Sequence, residues 1–201
     1  MERSRYVVVF DLGEVLATPT ALFRDLSARA GSSEDAIEAA YWKYRLPHDE
    51  GGLALDYWTQ VLSELDTKTD EAVITDLLGI DTAAWMSLRD DAESLLRELH
   101  EARVTVAILS NMPAELAAVA RGTSWAAWVD HWFFSGEMGV AKPDAAIYER
   151  ASASLGVDPA RIVFVDDRQV NVDAAVGAGW EAHLWTSGAA TRDLIGRLGI
   201  I

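Results

Sequence analysis

The chain reads as an α/β protein: a parallel sheet with helices on its faces and an all-helical insertion after the first strand. Short apolar runs that end in polar residues carry the first half of that reading. They are Arg5–Phe10 before Asp11, Val104–Leu109 before Ser110, Trp132–Phe134, and Arg161–Val165 before the pair Asp166-Asp167. Each has the length of a buried strand. From residue 91 onward these runs alternate with helix-like segments, as stacked βαβ units do, whereas residues 17–90 hold helix-like patterns alone.

The run before Asp11 predicts the first strand. In the insertion, amphipathic stretches at Thr20–Ala30, Ser33–Tyr44, Leu55–Glu64 and Asp70–Leu78 predict helices, separated by Gly31–Ser33, Pro47–Gly52 and Asp66–Thr69. Leu95, Leu96 and Leu99 lie at helical spacing in Ala92–Ala102, which leads into the strand at 104–109. A helix at Pro113–Arg121, a short strand at His131–Phe134 and a helix at Asp144–Leu155 follow. The strand ending at Val165, a helix at Val170–Ala178, a strand at Glu181–Leu184 and a helix at Thr191–Leu198 complete the pattern. Residues 1–16 and 91–201 thus form the expected core and 17–90 a helical cap. Inserted directly after the first strand's loop, the cap would lie over the carboxyl edge of the sheet, in position to act as a lid.

With 201 residues the chain can bury a sizeable core, and its length suits one α/β domain with an insertion. A hydrophobic fraction of 50% with 24% charged residues is that of a globular protein. The net charge of -15 argues against nucleic acid and anionic membrane as partners, since both need a basic footprint. Cysteine is absent, which excludes disulfide and thiol chemistry and fits a reducing cytoplasm. Tyr6–Phe10 is too short for a signal-peptide core and no segment approaches a membrane span, so a cytoplasmic location is expected. Eight tryptophans are many for this length. Core packing is the expected role of Trp42, Trp58, Trp85, Trp125 and Trp128, while Trp125, Trp128 and Trp132 leave a homodimer open beside a monomer.

In a parallel sheet the carboxyl ends of neighbouring strands gather at one edge, where residues distant in sequence meet. Asp11, Ser110 with Asn111, Lys142, and Asp166 with Asp167 all fall in such places. Taken singly, Ser110 or Asn111 could cap a helix, Lys142 could be a solvated loop lysine, and Asp166-Asp167 could cap the helix near Val170. Together they offer a nucleophile, an anion clamp, a cation and a metal-binding pair.

The segments Val8–Val15, Ile108–Asn111, Gly139–Tyr148 and Val163–Asn171 resemble, in order and in place, the motifs of the haloacid dehalogenase-like hydrolase superfamily. Tyr44–Gly51 followed by Tyr57-Trp58 is similar to caps found there. The resemblance implies a Rossmann-like, doubly wound parallel sheet with a helical cap. It also implies a magnesium-dependent phosphatase that acts on a small phosphorylated metabolite, such as a sugar phosphate. Asp11 would be the nucleophile, forming an aspartyl-phosphate. Lys142, Ser110 and Asn111 would hold the phosphate. Mg2+ would be held by Asp11, the carbonyl of Gly13, Asp166 and Asp167, an all-oxygen set suited to that ion.

Phosphatases of the superfamily usually carry Asp at the position of Gly13, as general acid and base. Its absence should slow turnover by about 10²- to 10⁴-fold without removing the nucleophile. Glycine there would also permit a left-handed backbone. Glu14 is adjacent, but an extended backbone would turn its side chain the other way. Related alternatives are a metal-independent haloacid dehalogenase, for which Asp166-Asp167 has no evident use, and a non-catalytic phosphate-binding or interaction module. The cap loop makes His48, Asp49, Glu50, Tyr57 and Trp58 candidates for substrate specificity, and Glu14 is a further one, with His48 also readable as a surface loop histidine.

Overall fold

The computed structural model describes residues 6–201; residues 1–5, which include Arg5 at the head of the first expected run, lie outside them. Among the described residues, strands β1 (Val7–Phe10), β2 (Thr105–Ser110), β3 (His131–Phe134), β4 (Ile162–Asp166) and β5 (Glu181–Leu184) make one parallel sheet in the order β3-β2-β1-β4-β5. Helices α1 (Leu22–Ala30), α2 (Glu34–Lys43), α3 (Arg45–Asp49), α4 (Ala54–Glu64) and α5 (Glu71–Trp85) form the insertion. The crossovers and flanks are α6 (Asp90–Glu101), α7 (Ala114–Ala120), α8 (Ser135–Met138), α9 (Ala145–Leu155), α10 (Gln169–Gly177) and α11 (Gly188–Arg197). This is the doubly wound α/β architecture expected of the chain.

Successive strand residues point to opposite faces of a sheet, and the core divides accordingly. Val8, Phe10, Val106, Ile108, Val163 and Val165 join one buried cluster, which includes the cap and α6. Val7, Val9, Ala107, Leu109, Ile162 and Phe164 join another, against Ile147, Tyr148 and Trp180. Both faces are covered, which is why the central strands read as unbroken apolar runs rather than alternating ones. β1 lies at the centre, paired with β2 on one side and β4 on the other, so its carboxyl end opens where the winding of the sheet reverses.

The insertion differs from expectation in two places. Pro47 sits inside α3 rather than in a loop. A proline in the first turn removes an N–H that has no partner within the helix anyway, so it does not prevent a short helix. Helix α5 continues to Trp85 instead of ending near Leu78, and this extra length carries the Trp85 ring to the loop after β1. Three helix starts carry capping side chains: Ser33 accepts from the Ala36 N–H, Asp70 from Ala72 and Asp144 from Ala146. No helix of the described residues is long and apolar enough to cross a membrane.

Candidate active site

Asp11 follows β1 directly, and its backbone N–H donates to the Val165 carbonyl at 2.9 Å, so the sheet pairing extends one residue past the strand and fixes its position. Its carboxylate Oδ1 accepts from the Leu12 N–H at 2.7 Å and from the Lys142 ammonium at 2.9 Å. Lys142, on the loop between α8 and α9, places the same nitrogen 2.6 Å from Asp166 Oδ2 at the end of β4. Side chains from three separate segments thus meet at one nitrogen.

Asp166 is fully buried and its hydrogen bonds involve both oxygens: Oδ1 takes the Arg168 N–H at 2.8 Å and the Asn171 amide at 2.9 Å, while Oδ2 takes Lys142. Asp167, half buried, lines the open cavity next to Asp11 and has no side-chain partner among the described residues. Ligand atoms of Asp11, Asp166 and Asp167 lie within 4.8 Å of one another. Three carboxylates therefore gather around one ammonium, and the equilibria of Asp11 and Asp167 register the imbalance. Burial raises the Asp11 carboxyl to about 6, against the pull of Lys142 and with the push of Asp166. Burial, then Asp166, raises Asp167 as well. Burial alone would lower Lys142, but Asp11 and Asp166 outweigh it and hold the ammonium above the ordinary lysine value. An all-oxygen donor set with excess negative charge is the chemistry that suits a hard divalent cation.

Ser110 closes β2 and is buried beside Asp11. Asn111 follows it, on the loop after β2. Its side-chain amide is taken up by the backbone of Lys142, accepting from the N–H at 2.8 Å and donating to the carbonyl at 3.0 Å. It positions the lysine loop, with its side chain already committed. The strand also does not run straight into a helix here. α7 begins at Ala114, and the Met112 N–H donates to the Ser135 hydroxyl at 2.9 Å.

The loop after Asp11 differs from expectation as well. The left-handed residue is Glu14, with φ 56°, and not Gly13. The chain curls so tightly that the N–H groups of Leu16 and Ala17 both donate to the Leu12 carbonyl. Glu14 consequently lines the cavity instead of turning away from it. What glycine provides at position 13 is room: a Cβ there would lie 3.3 Å from the Trp85 ring. Trp85 in turn is anchored by its indole N–H to the Tyr41 hydroxyl at 3.0 Å. An aromatic ring thus stands over the place where an aspartate side chain would begin.

One cavity of about 420 Å³ is lined by Asp11, Gly13, Glu14, Ser110, Asn111, Lys142, Asp167, Arg168 and Asn171, while Asp166 is buried and bonded to Lys142. His48 and Trp58 are not among its walls. His48 is buried, stacked on the Tyr57 ring at 4.6 Å and bonded through Nδ1 to the Gly52 carbonyl, and Trp58 has no exposure at all. Both belong to the interior of the cap, because a pattern that puts a residue in the right segment does not say which face of a short helix it occupies. The cap walls are instead Trp42, Arg45, Leu46, Asp49 and Trp85. Arg45 and Asp49 have the i,i+4 spacing of a helical ion pair and meet at 2.7 Å. Asp49 is among the expected candidates, and recognising α3 in the sequence would have brought Arg45 forward beside it. Trp42 was expected in the core, yet it is 50% exposed.

A doubly wound sheet with an acidic, lysine-bridged cluster at the carboxyl ends of β1 and β4 and a helical cap above it defines a capped hydrolase of the α/β type. A family model described as haloacid dehalogenase-like hydrolase matches residues 7–179, and the chain belongs to that family. Among curated proteins it is similar to sesquiterpene phosphatase astK of Aspergillus oryzae, 36% identical over 117 residues, which cover 54% of this chain and 59% of the relative. It is also similar to phosphatase MT3486 of Mycobacterium tuberculosis, 28% identical over 196 residues, 92% of this chain and 89% of the relative. Among solved structures, L-2-haloacid dehalogenase from Xanthobacter autotrophicus with chloropropionic acid covalently bound superposes with a TM-score of 0.74 at 19% identity, covering 95% of this chain and 82% of that one. A haloacid dehalogenase-family enzyme, bt-2542 of Bacteroides thetaiotaomicron, in complex with magnesium and inorganic phosphate, superposes with a TM-score of 0.69 at 20% identity, over 91% and 95% of the two chains. At these identities the solved structures share the fold.

Proposed function

We propose that this hydrolase is a magnesium-dependent phosphatase of small phosphate monoesters that works through an aspartyl-phosphate on Asp11. The observation that carries the reading is the single ammonium of Lys142 shared between Asp11 at 2.9 Å and Asp166 at 2.6 Å, with Asp167 open to the same cavity. Asp11, held by Leu12 and Lys142 on one oxygen and bonded by Ser110, lines the cavity from which it can attack phosphorus. The Asp11–phosphorus bond forms as the ester oxygen departs with the alcohol, and water then cleaves the acyl phosphate to regenerate Asp11. Lys142 keeps Asp11 ionised and oriented and stands beside the incoming phosphate, with the Ser110 hydroxyl next to it. Asn111 acts one step back, by fixing the Lys142 backbone.

Asp11, Asp167 and the Gly13 carbonyl would hold Mg2+, with Asp166 braced behind them; Asn171 Oδ1, buried at the cavity wall and unpaired among the described residues, is a further acceptor there. When bound, the ion supplies neutralisation of the charge on the phosphoryl oxygens. The phosphatase names of the two curated relatives and the magnesium and phosphate of the Bacteroides structure support this assignment. The superposing dehalogenase shares the scaffold, but a metal-independent reaction leaves Asp167 without a use. The sugar phosphate implied by the sequence is one candidate among phosphate monoesters.

Phosphate release from a panel of monoesters, assayed with and without magnesium for the wild type and Asp11→Asn, tests the proposal. Magnesium-dependent release is expected, reduced on the order of 10³-fold or more in the variant. Undiminished turnover by Asp11→Asn would exclude the covalent route.

A further inference from the structure

Resting on that phosphatase reading, we infer that the alcohol half of the substrate is an apolar skeleton, hydrocarbon or aromatic, rather than a polyol. The cavity has walls of two kinds. Asp11, Ser110, Lys142 and Asp167 give it a charged group, with Glu14, Arg168 and Asn171 also polar, and Trp42, Leu46, Trp85, Met112 and Pro143 are apolar. At about 420 Å³ it holds a phosphate and a small organic group together.

The apolar walls of the cap are not a by-product of folding. Trp42 is 50% exposed and Leu46 55% exposed, although the buried neighbours of each, Tyr41 and Arg45, show that this part of the cap has an interior in which a large side chain can be placed. Large apolar surface left open and gathered around a polar site marks a place where something apolar binds. Trp85 adds a rigid wall, since its indole N–H is tied to Tyr41 and its ring packs over Gly13. An aromatic face fixed in advance loses little conformational freedom when a ligand covers it.

The polar residues of the cap point to the same class. Arg45 and Asp49 line the cavity, but Arg45 Nε donates to Asp49 Oδ1 at 2.7 Å, and its Nη1 donates to Tyr41 and to Asp81. A polyol brings several hydroxyl groups, each of which must recover the hydrogen bonds it made in water. The cap offers few uncommitted partners for them. A hydrocarbon needs none, and each methylene removed from water tightens binding about fourfold.

The experiment compares esters whose leaving groups match in acidity and differ in polarity, with magnesium present. One pair is n-hexyl phosphate and glucose 6-phosphate, both esters of primary alcohols with six carbons. The other is 4-butylphenyl and 4-(hydroxymethyl)phenyl phosphate. The apolar member of each pair is expected to have a kcat/KM higher by on the order of tenfold or more. Leu46→Ser and Trp42→Ala, at exposed positions, should each narrow that ratio several-fold, measured on protein whose melting temperature has been checked. Equal or reversed preference in the aryl pair overturns the inference while leaving the phosphatase reading intact. A ratio that neither variant moves also overturns it. Turnover of no ester would remove both readings together.

Discussion

At the sheet edge Lys142 stands between Asp11 and Asp166; inside the cap Arg45 stands between Asp49 and Asp81. Each is one cation among buried carboxylates, yet the two clusters differ in how completely their hydrogen bonds close. The guanidinium is a planar fork, and it reaches Asp49, Asp81 and the Tyr41 hydroxyl together, while Tyr41 donates to Asp81 at 2.7 Å and receives the Trp85 indole. Asp81 has no exposure. The result is a locked network that binds α2, α3 and α5 to one another. The ammonium of Lys142 is a point charge and cannot close its surroundings in this way. Asp11 and Asp167 both line the cavity. Closure gives the cap a fixed shape; incompleteness at the sheet edge leaves groups free to react.

The contrast is broken most strongly by removing a partner from the closed cluster. Asp81→Ala leaves Arg45 buried beside fewer carboxylates, and loss of one partner of such a pair is expected to destabilise by about 3–5 kcal/mol, read as a lowered melting temperature or denaturation midpoint. Asp11→Asn removes a carboxyl that burial already pushes to about 6, so its melting temperature should be unchanged or higher while turnover is lost. Equal destabilisation by the two substitutions would mean that both clusters are structural.

Magnesium should sharpen the same difference. The sheet edge gathers three carboxylates with ligand oxygens within 4.8 Å of one another, so the ion should raise the melting temperature of the wild type, by the equivalent of about 2.7 kcal/mol at a hundredfold excess over its dissociation constant. Asp167→Ala should abolish most of that rise. An equal rise in both proteins would move the ion elsewhere.

A smaller effect concerns pH. Burial raises Asp49 from 3.8 to about 6, against the attraction of Arg45. The folded state therefore binds this proton more tightly than the unfolded chain does. The associated stability is present below about pH 4 and is lost as pH rises through 6. Asp49→Asn cannot titrate, so its stability relative to the wild type should improve by about 1 kcal/mol between pH 4 and pH 7. That is less than the roughly 3 kcal/mol a rigid site would give, since the site can relax and admit water as the carboxylate ionises. A pH-independent gap between the two proteins, followed by urea denaturation, would show that Asp49 titrates normally.

What the sequence determined by itself is the sheet and the reactive end of the site. Apolar runs of strand length, each followed by a polar residue, locate β1, β2 and β4, and parallel winding then brings Asp11, Ser110 and Asp166-Asp167 to one edge whatever the details of packing. These signals are local, and the topology supplies the rest. Lys142 and its neighbours were legible by family resemblance in the same order. The tertiary structure alone decided what encloses them. Trp85 reaches Gly13 because α5 runs a full two turns past the expected end, Asn111 turns its amide to Lys142 thirty-one residues away, and Arg45 meets Asp81 across thirty-six. It likewise sent His48 and Trp58 inward and left Trp42 and Leu46 facing the cavity. Helical periodicity assigns residues to faces, but which face meets a neighbour and which meets a ligand depends on how helices distant in sequence pack, and that is set by side-chain volume and hydrogen-bond closure across the whole cap.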